Sequence, residues 1–229
     1  MQGEALKRWR AAERARLIAA REAIDRTALD GLRRRIDALL ERSFPGLAAG
    51  VLAFCWPIKN EYDARHLART LRRRGALTAL PVVVAPRTPL VFREWHPGVP
   101  LARGALDIPY PVGSRELAPH HVLLPMNGWD AGGFRLGYGA GYFDRTLASL
   151  APRPAVIGVA FEQARLATIY PQRWDIPVDY VVTERGVYRR DAGALAFLGT
   201  PPAGEPSPLA SPVCYAGELA PEYFGPPKD

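Results

Sequence analysis

Cysteine is nearly absent: the chain of 229 residues holds two, Cys55 and Cys214, far apart and outside any Cys-x-x-Cys or zinc-finger spacing. That excludes a disulfide framework and a cysteine-built metal centre, and it fits a reducing cytoplasm. No run of about eighteen apolar residues occurs, and the opening MQGEALKRWRAAERARL lacks the apolar core of a signal peptide; the expectation is a cytoplasmic protein with no membrane segment. Internal repeats are missing. The four histidines, His66, His96, His120 and His121, have no cysteine or carboxylate at ligand spacing and receive no role, the last two leading into a strand. Neither the GxxxxGK[ST] run of a Walker loop nor the GxGxxG dinucleotide fingerprint is present.

What the chain does have is positive charge. The formal net charge is +7, most of it from arginine concentrated in the N-terminal third, and such a balance favours anionic partners: nucleic acid, phosphates or polyglutamylated small molecules. The arginine runs at 33–35 and 72–74 read as solvated helix faces. About half the residues are hydrophobic and about a quarter charged, the balance of an ordinary globular protein, at a length that suits one α/β domain with a sizeable core.

The apolar spacing predicts helices over residues 4–24 and after a capping box at Thr27 to Asp30, the second ending before Pro45-Gly46. AAGVLAFCW then reads as a buried strand, EYDARHLARTLRRRG as a helix closed by Gly75, and ALTALPVVV and PLVFREW as further strands. A proline- and glycine-rich passage leads to the strand HHVLLP. Beyond it come a helix in GYFDRTLASL, a strand in PAVIGVAF, a short helix in QARLATIY and a last strand in PVDYVVTE. The βαβ rhythm predicts a parallel or mixed sheet covered by helices. From about Gly199 the composition turns to Pro, Gly, Ala and Ser, predicting a domain over 1–198 and a tail over 199–229.

The most informative stretch is FRLGYGAGYFDR, residues 134–145. Alternating Gly137, Gly139 and Gly141 let backbone amides approach a ligand without an intervening Cβ, and a helix starting near Gly141 adds its unpaired N–H groups, so the loop suits phosphate. Arg135 or Arg145 supplies a full positive charge. Asp144, at the same turn, suits the magnesium that accompanies a nucleotide.

Taken whole, RLGYGAGYFDR resembles the signature of the 5-formyltetrahydrofolate cyclo-ligase (methenyltetrahydrofolate synthetase) family. Ordered segments extend the likeness over about residues 7–185: WPIKNEYDARHLARTL, LPVVV, IPYP, VLLPMNGWDAGG, GVAFEQ and WDIPVDYVVTE. The resemblance implies a three-layer α/β fold with a mostly parallel sheet flanked by helices, and a monomer or homodimer. It also implies an ATP- and Mg2+-dependent enzyme that converts 5-formyltetrahydrofolate, including polyglutamylated forms, to 5,10-methenyltetrahydrofolate with release of ADP and phosphate, through a phosphorylated formyl oxygen.

By that resemblance Arg135, Gly137, Tyr138, Gly139, Ala140, Gly141 and Tyr142 form the ATP-phosphate loop, with Arg135 and Tyr142 in catalysis. Tyr138 and Tyr142 also face the folate. Asp144 and Asp175 fall on metal carboxylates, Glu61 on the pterin-binding glutamate, and Trp56 on an apolar substrate contact. For the basic residues of the first helix the register stays open: Arg10, Arg14 and Arg21 fit the family spacing best, with Lys7 and Arg10, or Arg8 and Arg14, as alternatives for the ATP clamp. Trp174, Tyr110, Ala140 and Phe143 depart from the family pattern. The rival readings are a relative with altered substrate or no activity, and a regulatory protein whose basic helices bind nucleic acid. No RNA-recognition or helix-turn-helix pattern supports the latter.

Overall fold

The computed structural model describes residues 1–104 and 107–200; the Pro/Gly-rich stretch beyond residue 200, with Cys214, lies outside them. The chain opens with two helices, α1 (Gly3–Glu22) and α2 (Arg26–Ser43). Strand β1 (Val51–Phe54) follows, then α3 (Arg65–Arg73), β2 (Leu77–Val82) and β3 (Val91–Glu94). A small hairpin, β4 (Leu101–Arg103) with β5 (Pro109–Pro111), precedes β6 (His121–Pro125). The two-residue strands β7 (Gly128–Trp129) and β8 (Arg135–Leu136) pair with each other and lead to α4 (Tyr142–Ser149). The described chain closes with β9 (Ala155–Val159), β10 (Tyr180–Thr183), β11 (Gly186–Asp191) and β12 (Ala194–Gly199).

Eight strands form one sheet in the order β12-β11-β10-β9-β6-β1-β2-β3. The inner five, β10, β9, β6, β1 and β2, are parallel, and β3, β11 and β12 close the edges antiparallel. The expected mostly parallel α/β sheet is what forms. Its layers follow from strand periodicity, since successive side chains point to opposite faces. Leu52, Phe54, Leu123 and Ile157 pack with Ile36 and Leu40 of α2 and Leu67 and Leu71 of α3. Val51, Ala53, Val122, Leu124 and Val156 pack on the other face with Leu17 of α1 and Leu147 of α4. Both faces are covered, which is why the central strands are almost wholly apolar.

Three local expectations are corrected. Asp25, not Thr27, caps α2: its carboxylate accepts the amides of Thr27 and Ala28, each at 2.9 Å. In QARLATIY only the end of a short 3-10 turn, Glu162–Ala164, is helical. The rest is irregular, because the Leu166 amide donates to the Trp129 carbonyl (2.7 Å) and the Ile169 amide to Asp130 (2.9 Å), bonds a helix would forgo. PVDYVVTE is not the last strand, since β11 and β12 follow it. The arginine runs also divide: Arg34, Arg35, Arg73 and Arg74 are exposed, whereas Arg33 and Arg72 are partly buried, Arg72 donating to the Trp95 carbonyl at 3.0 Å.

The topology prepares a site. From β1 the chain passes to β2 on one side and later returns to β6 on the other, so the crevice at the carboxyl ends of β1 and β6 is a switch point where α/β sheets bind ligands.

Candidate active site

A narrow cleft lies at those carboxyl ends. Its walls include Arg21 of α1, Glu61 from the segment after β1, Asn127 after β6 and Phe161 after β9.

Glu61 is 6% exposed, and one donor sits on each of its oxygens: the Tyr138 hydroxyl on Oε1 at 2.9 Å and the Ile58 amide on Oε2 at 3.1 Å. Burial raises its pKa above the ordinary carboxylate value, opposed by the nearby Arg21 charge and by those two hydrogen bonds. Arg21 is equally buried, and each of its three guanidinium nitrogens is engaged. Its Nε donates to the Lys59 carbonyl (2.7 Å), Nη1 to Asn127 Oδ1 (2.9 Å) and Nη2 to the Tyr138 hydroxyl (3.2 Å), leaving Glu61 Oε1 at 3.8 Å.

Next to this buried group lies the glycine loop. Gly139 and Gly141 both adopt positive φ (+97° and +65°), and Gly141 is the N-cap of α4. Any Cβ at Gly139 would stand 3.3 Å from the Arg14 guanidinium, and one at Gly141 would stand 3.1 Å from Arg145. Both positions therefore favour glycine for their conformation, with an arginine close enough that a Cβ would push it back slightly. Arg14 Nε donates to the Gly137 carbonyl at 2.6 Å; Arg145 donates to the Ala140 carbonyl and lies 5.4 Å from the Tyr142 ring centre. Burial, with the positive charge of Arg10 nearby, lowers the pKa of Arg14.

Two ion pairs close the rim. Arg135, its side chain 6% exposed, donates to Asp144 Oδ1 at 2.9 Å and to the Ile176 carbonyl at 2.5 Å, and the Ile176 amide returns a bond to Asp144 Oδ1 at 3.1 Å. Arg10 holds Asp175 Oδ2 at 2.6 Å and also donates to the carbonyls of Ile169 and Tyr170, tying α1 to the segment before β10.

A model of the 5-formyltetrahydrofolate cyclo-ligase family matches residues 6–184, which contain this whole constellation. The chain belongs to that family. It is 29% identical to the 5-formyltetrahydrofolate cyclo-ligase of Escherichia coli K12 over 151 residues, 63% of this chain and 83% of the relative. The enzyme of the same name from Mycolicibacterium smegmatis is 31% identical over 144 residues, 57% of this chain and 72% of the relative. Among solved structures, the Aquifex aeolicus 5,10-methenyltetrahydrofolate synthetase superposes with a TM-score of 0.70 at 27% identity, covering 82% of this chain and 97% of that one. The Mycoplasma pneumoniae synthetase shares the fold, with a TM-score of 0.63 at 21% identity over 76% and 98% of the two chains. The protein is thus a member of a ligase family, and β11 and β12 lie beyond the family match.

Against the expected cyclo-ligase residues, the fold gathers Glu61, Tyr138, Arg14, Arg135, Asp144 and the glycines around the cleft and loop. Lys7 stands apart: its side chain is 75% exposed and pairs with Glu4 at 2.6 Å. Trp56 packs partly against the core, with the Arg65 guanidinium 4.6 Å from its ring centre, and does not line the cleft. Of the departures from the family pattern, Ala140 contributes a carbonyl, Phe143 packs on the apolar cluster beside α4, Trp174 is 60% exposed and Tyr110 sits half-buried in β5. Asn127 was missed by the sequence reading, although a polar side chain two residues past the end of a buried strand is the signal that could have found it. Cys55, partly buried at the end of β1, has its thiol pKa pushed up by burial and by Glu61.

For a divalent cation, the donor set suits one that takes most of its ligands from phosphate and water. No group of three or more His, Cys, Asp or Glu side chains gathers among the described residues. Asp144 keeps Oδ2 free of hydrogen bonds among those residues, with its side chain 24% exposed, as a magnesium bound chiefly through nucleotide phosphates requires. Asp175 is held by Arg10 and by the Gln172 amide (2.7 Å).

Proposed function

We propose that the protein cyclises 5-formyltetrahydrofolate to 5,10-methenyltetrahydrofolate with consumption of Mg-ATP. The observation that carries this reading is the meeting of two chemistries. A buried carboxylate with spare acceptor capacity on both oxygens lies one hydrogen bond from a glycine loop ringed by Arg14, Arg145 and Arg135. In this reading Glu61 accepts an adjacent ring N–H and amino group of the pterin, a pair that matches a carboxylate's two oxygens. The loop amides, with Arg14 and Arg145, hold the polyphosphate.

The formyl oxygen attacks the γ-phosphorus and ADP leaves; N10 then attacks the activated carbon, the C–O bond breaks and phosphate departs as N10 loses its proton. Arg135, held by Asp144 and the Ile176 carbonyl, would offset charge on the transferred group from the rim, and Tyr142, the first residue of α4, lies beside Arg145. Such a transfer depends on positioning and charge neutralisation more than on covalent help from the protein. Magnesium, where Asp144 carries it, would neutralise charge on the phosphates; Asp175 becomes available to it only when Arg10 releases the carboxylate. Cytoplasmic location and a folate substrate with a polyglutamate chain belong to the same proposal. The rival nucleic-acid reading loses force because Arg10, Arg14, Arg21 and Arg33 are engaged inside the protein.

The test mixes protein, Mg-ATP and 5-formyltetrahydrofolate and follows the near-ultraviolet absorbance of the product, omitting each component in turn. Product that forms without ATP, or no product from folded protein, rejects the reading. Asp144→Ala is expected to lower turnover by about a hundredfold or more while circular dichroism stays native; full activity in that variant removes the metal role.

A further inference from the structure

The buried group around Glu61 and the phosphate loop are joined through one side chain. Along the loop, Gly137 and Gly139 face Arg14, the first through its carbonyl and the second by close approach. Tyr138 lies between them and turns the opposite way, into the buried network. There its hydroxyl is used twice, donating to Glu61 Oε1 and accepting from Arg21 Nη2.

Arg21 and Glu61 stand 3.8 Å apart, beyond a direct hydrogen bond, so the hydroxyl completes the bridge between them. Arg14 and Arg21 are two turns apart on one face of α1, about 10 Å at 1.5 Å per residue. They contact successive residues of the loop, Gly137 and Tyr138, and so fix it against α1 at two points. Arg21 is itself held from the end of β6, by Asn127.

We infer that Tyr138, held by Arg21, is a positioning residue that couples the two halves of the site, so that occupancy of the Glu61 cleft and occupancy of the glycine loop favour each other. The inference rests on the proposed reaction for the identity of the two ligands. Its physical basis is that Glu61 and the loop share one hydrogen bond. A ligand that fixes the carboxylate also fixes Tyr138, and with it the carbonyl and amides on either side; linkage makes the effect reciprocal.

The experiment is calorimetric titration with 5-formyltetrahydrofolate, alone and with a saturating non-hydrolysable ATP analogue and magnesium, for the native protein, Tyr138→Phe and Arg21→Lys. In the native protein the analogue is expected to tighten folate binding by about fivefold or more, the lower end of ordinary coupling between sites. In Tyr138→Phe that gain falls to within about twofold while affinity for the analogue alone changes little, because Arg14 and the glycines remain. Arg21→Lys keeps the charge but cannot span Lys59, Asn127 and Tyr138 together, and it loses the same coupling. It carries the test if Tyr138→Phe fails to fold. In steady-state kinetics the KM for folate then becomes independent of ATP concentration, which a purely structural role would not produce. A native protein that binds both ligands without coupling, or a folded Tyr138→Phe that keeps it, overturns the inference alone. A native protein that binds no folate overturns the cyclo-ligase reading and the inference with it.

Discussion

Two arginine–carboxylate–tyrosine clusters meet at consecutive residues. Glu61 belongs to the cluster with Arg21 and Tyr138, and Tyr62 to the one with Asp37 and Arg33. In the second, Tyr62 donates to Asp37 Oδ1 at 2.5 Å, and Arg33 contacts Asp37 directly while its other two nitrogens hold Asp30 at 2.9 and 2.7 Å. Those arginine contacts run three or four residues along α2, and although Tyr62 borders the cleft, both oxygens of Asp37 are taken, one by Arg33 and one by the Tyr62 hydroxyl. In the first cluster every partner of Arg21 lies far away in sequence, no direct arginine–glutamate hydrogen bond forms, and the carboxylate faces a cleft. The same three residue types thus fasten a helix in one place and leave an acceptor in waiting in the other. What differs is whether the arginine saturates the carboxylate.

Glu61→Gln attacks the difference most strongly. It is expected to weaken folate binding by about a hundredfold, since two hydrogen bonds to a charged acceptor are involved, and to change affinity for an ATP analogue by less than threefold, as read by calorimetry. The opposite ranking would assign Glu61 to the phosphate half. Tyr62→Phe is the matched change on the closed cluster. It should cost about 1–3 kcal/mol of stability by urea denaturation, lowering Tm by several degrees, with kcat and KM unaltered; a shift in folate KM would erase the distinction between the clusters.

Acidity sharpens the comparison further. Burial raises the pKa of both Glu61 and Asp37 above their ordinary values, 4.5 and 3.8. A carboxyl whose folded-state pKa is raised contributes stability that is full below the unfolded value and is lost as pH rises through the folded one. Relative to the native protein, Glu61→Gln should therefore gain stability as pH climbs from 4.5, measured by urea denaturation at intervals of pH; a flat difference would mean that Arg21 already cancels the burial cost. Least affected should be Arg34→Ala. Arg34 is 74% exposed and pairs with Asp30 on the solvent face of α2, so Tm should stay within about 1 °C of native.

Much of this was legible in the sequence, for reasons that differ by element. The buried strands announced themselves because both faces of the inner sheet are covered, and the glycine loop because positive φ beside an arginine leaves little choice but glycine. The edge hairpin β11–β12 escaped notice because its outer positions carry Arg189, Arg190 and Ala194, a half-exposed pattern without the apolar run that marks an inner strand. Pairings of residues distant in sequence were also invisible. Arg10 and Asp175 were each expected to face the nucleotide or its metal, and the fold gives them to each other.

By itself the sequence determined the residue types: near-continuous apolar runs that suit a sheet covered on both faces, glycines where backbone must meet charge, and a glutamate placed after a buried strand. Tertiary structure alone decided which charges are spent and which remain. That depends on distances between residues far apart in the chain, and burial makes those distances matter, because a charge removed from water must find its partner in the protein or wait for one in a ligand.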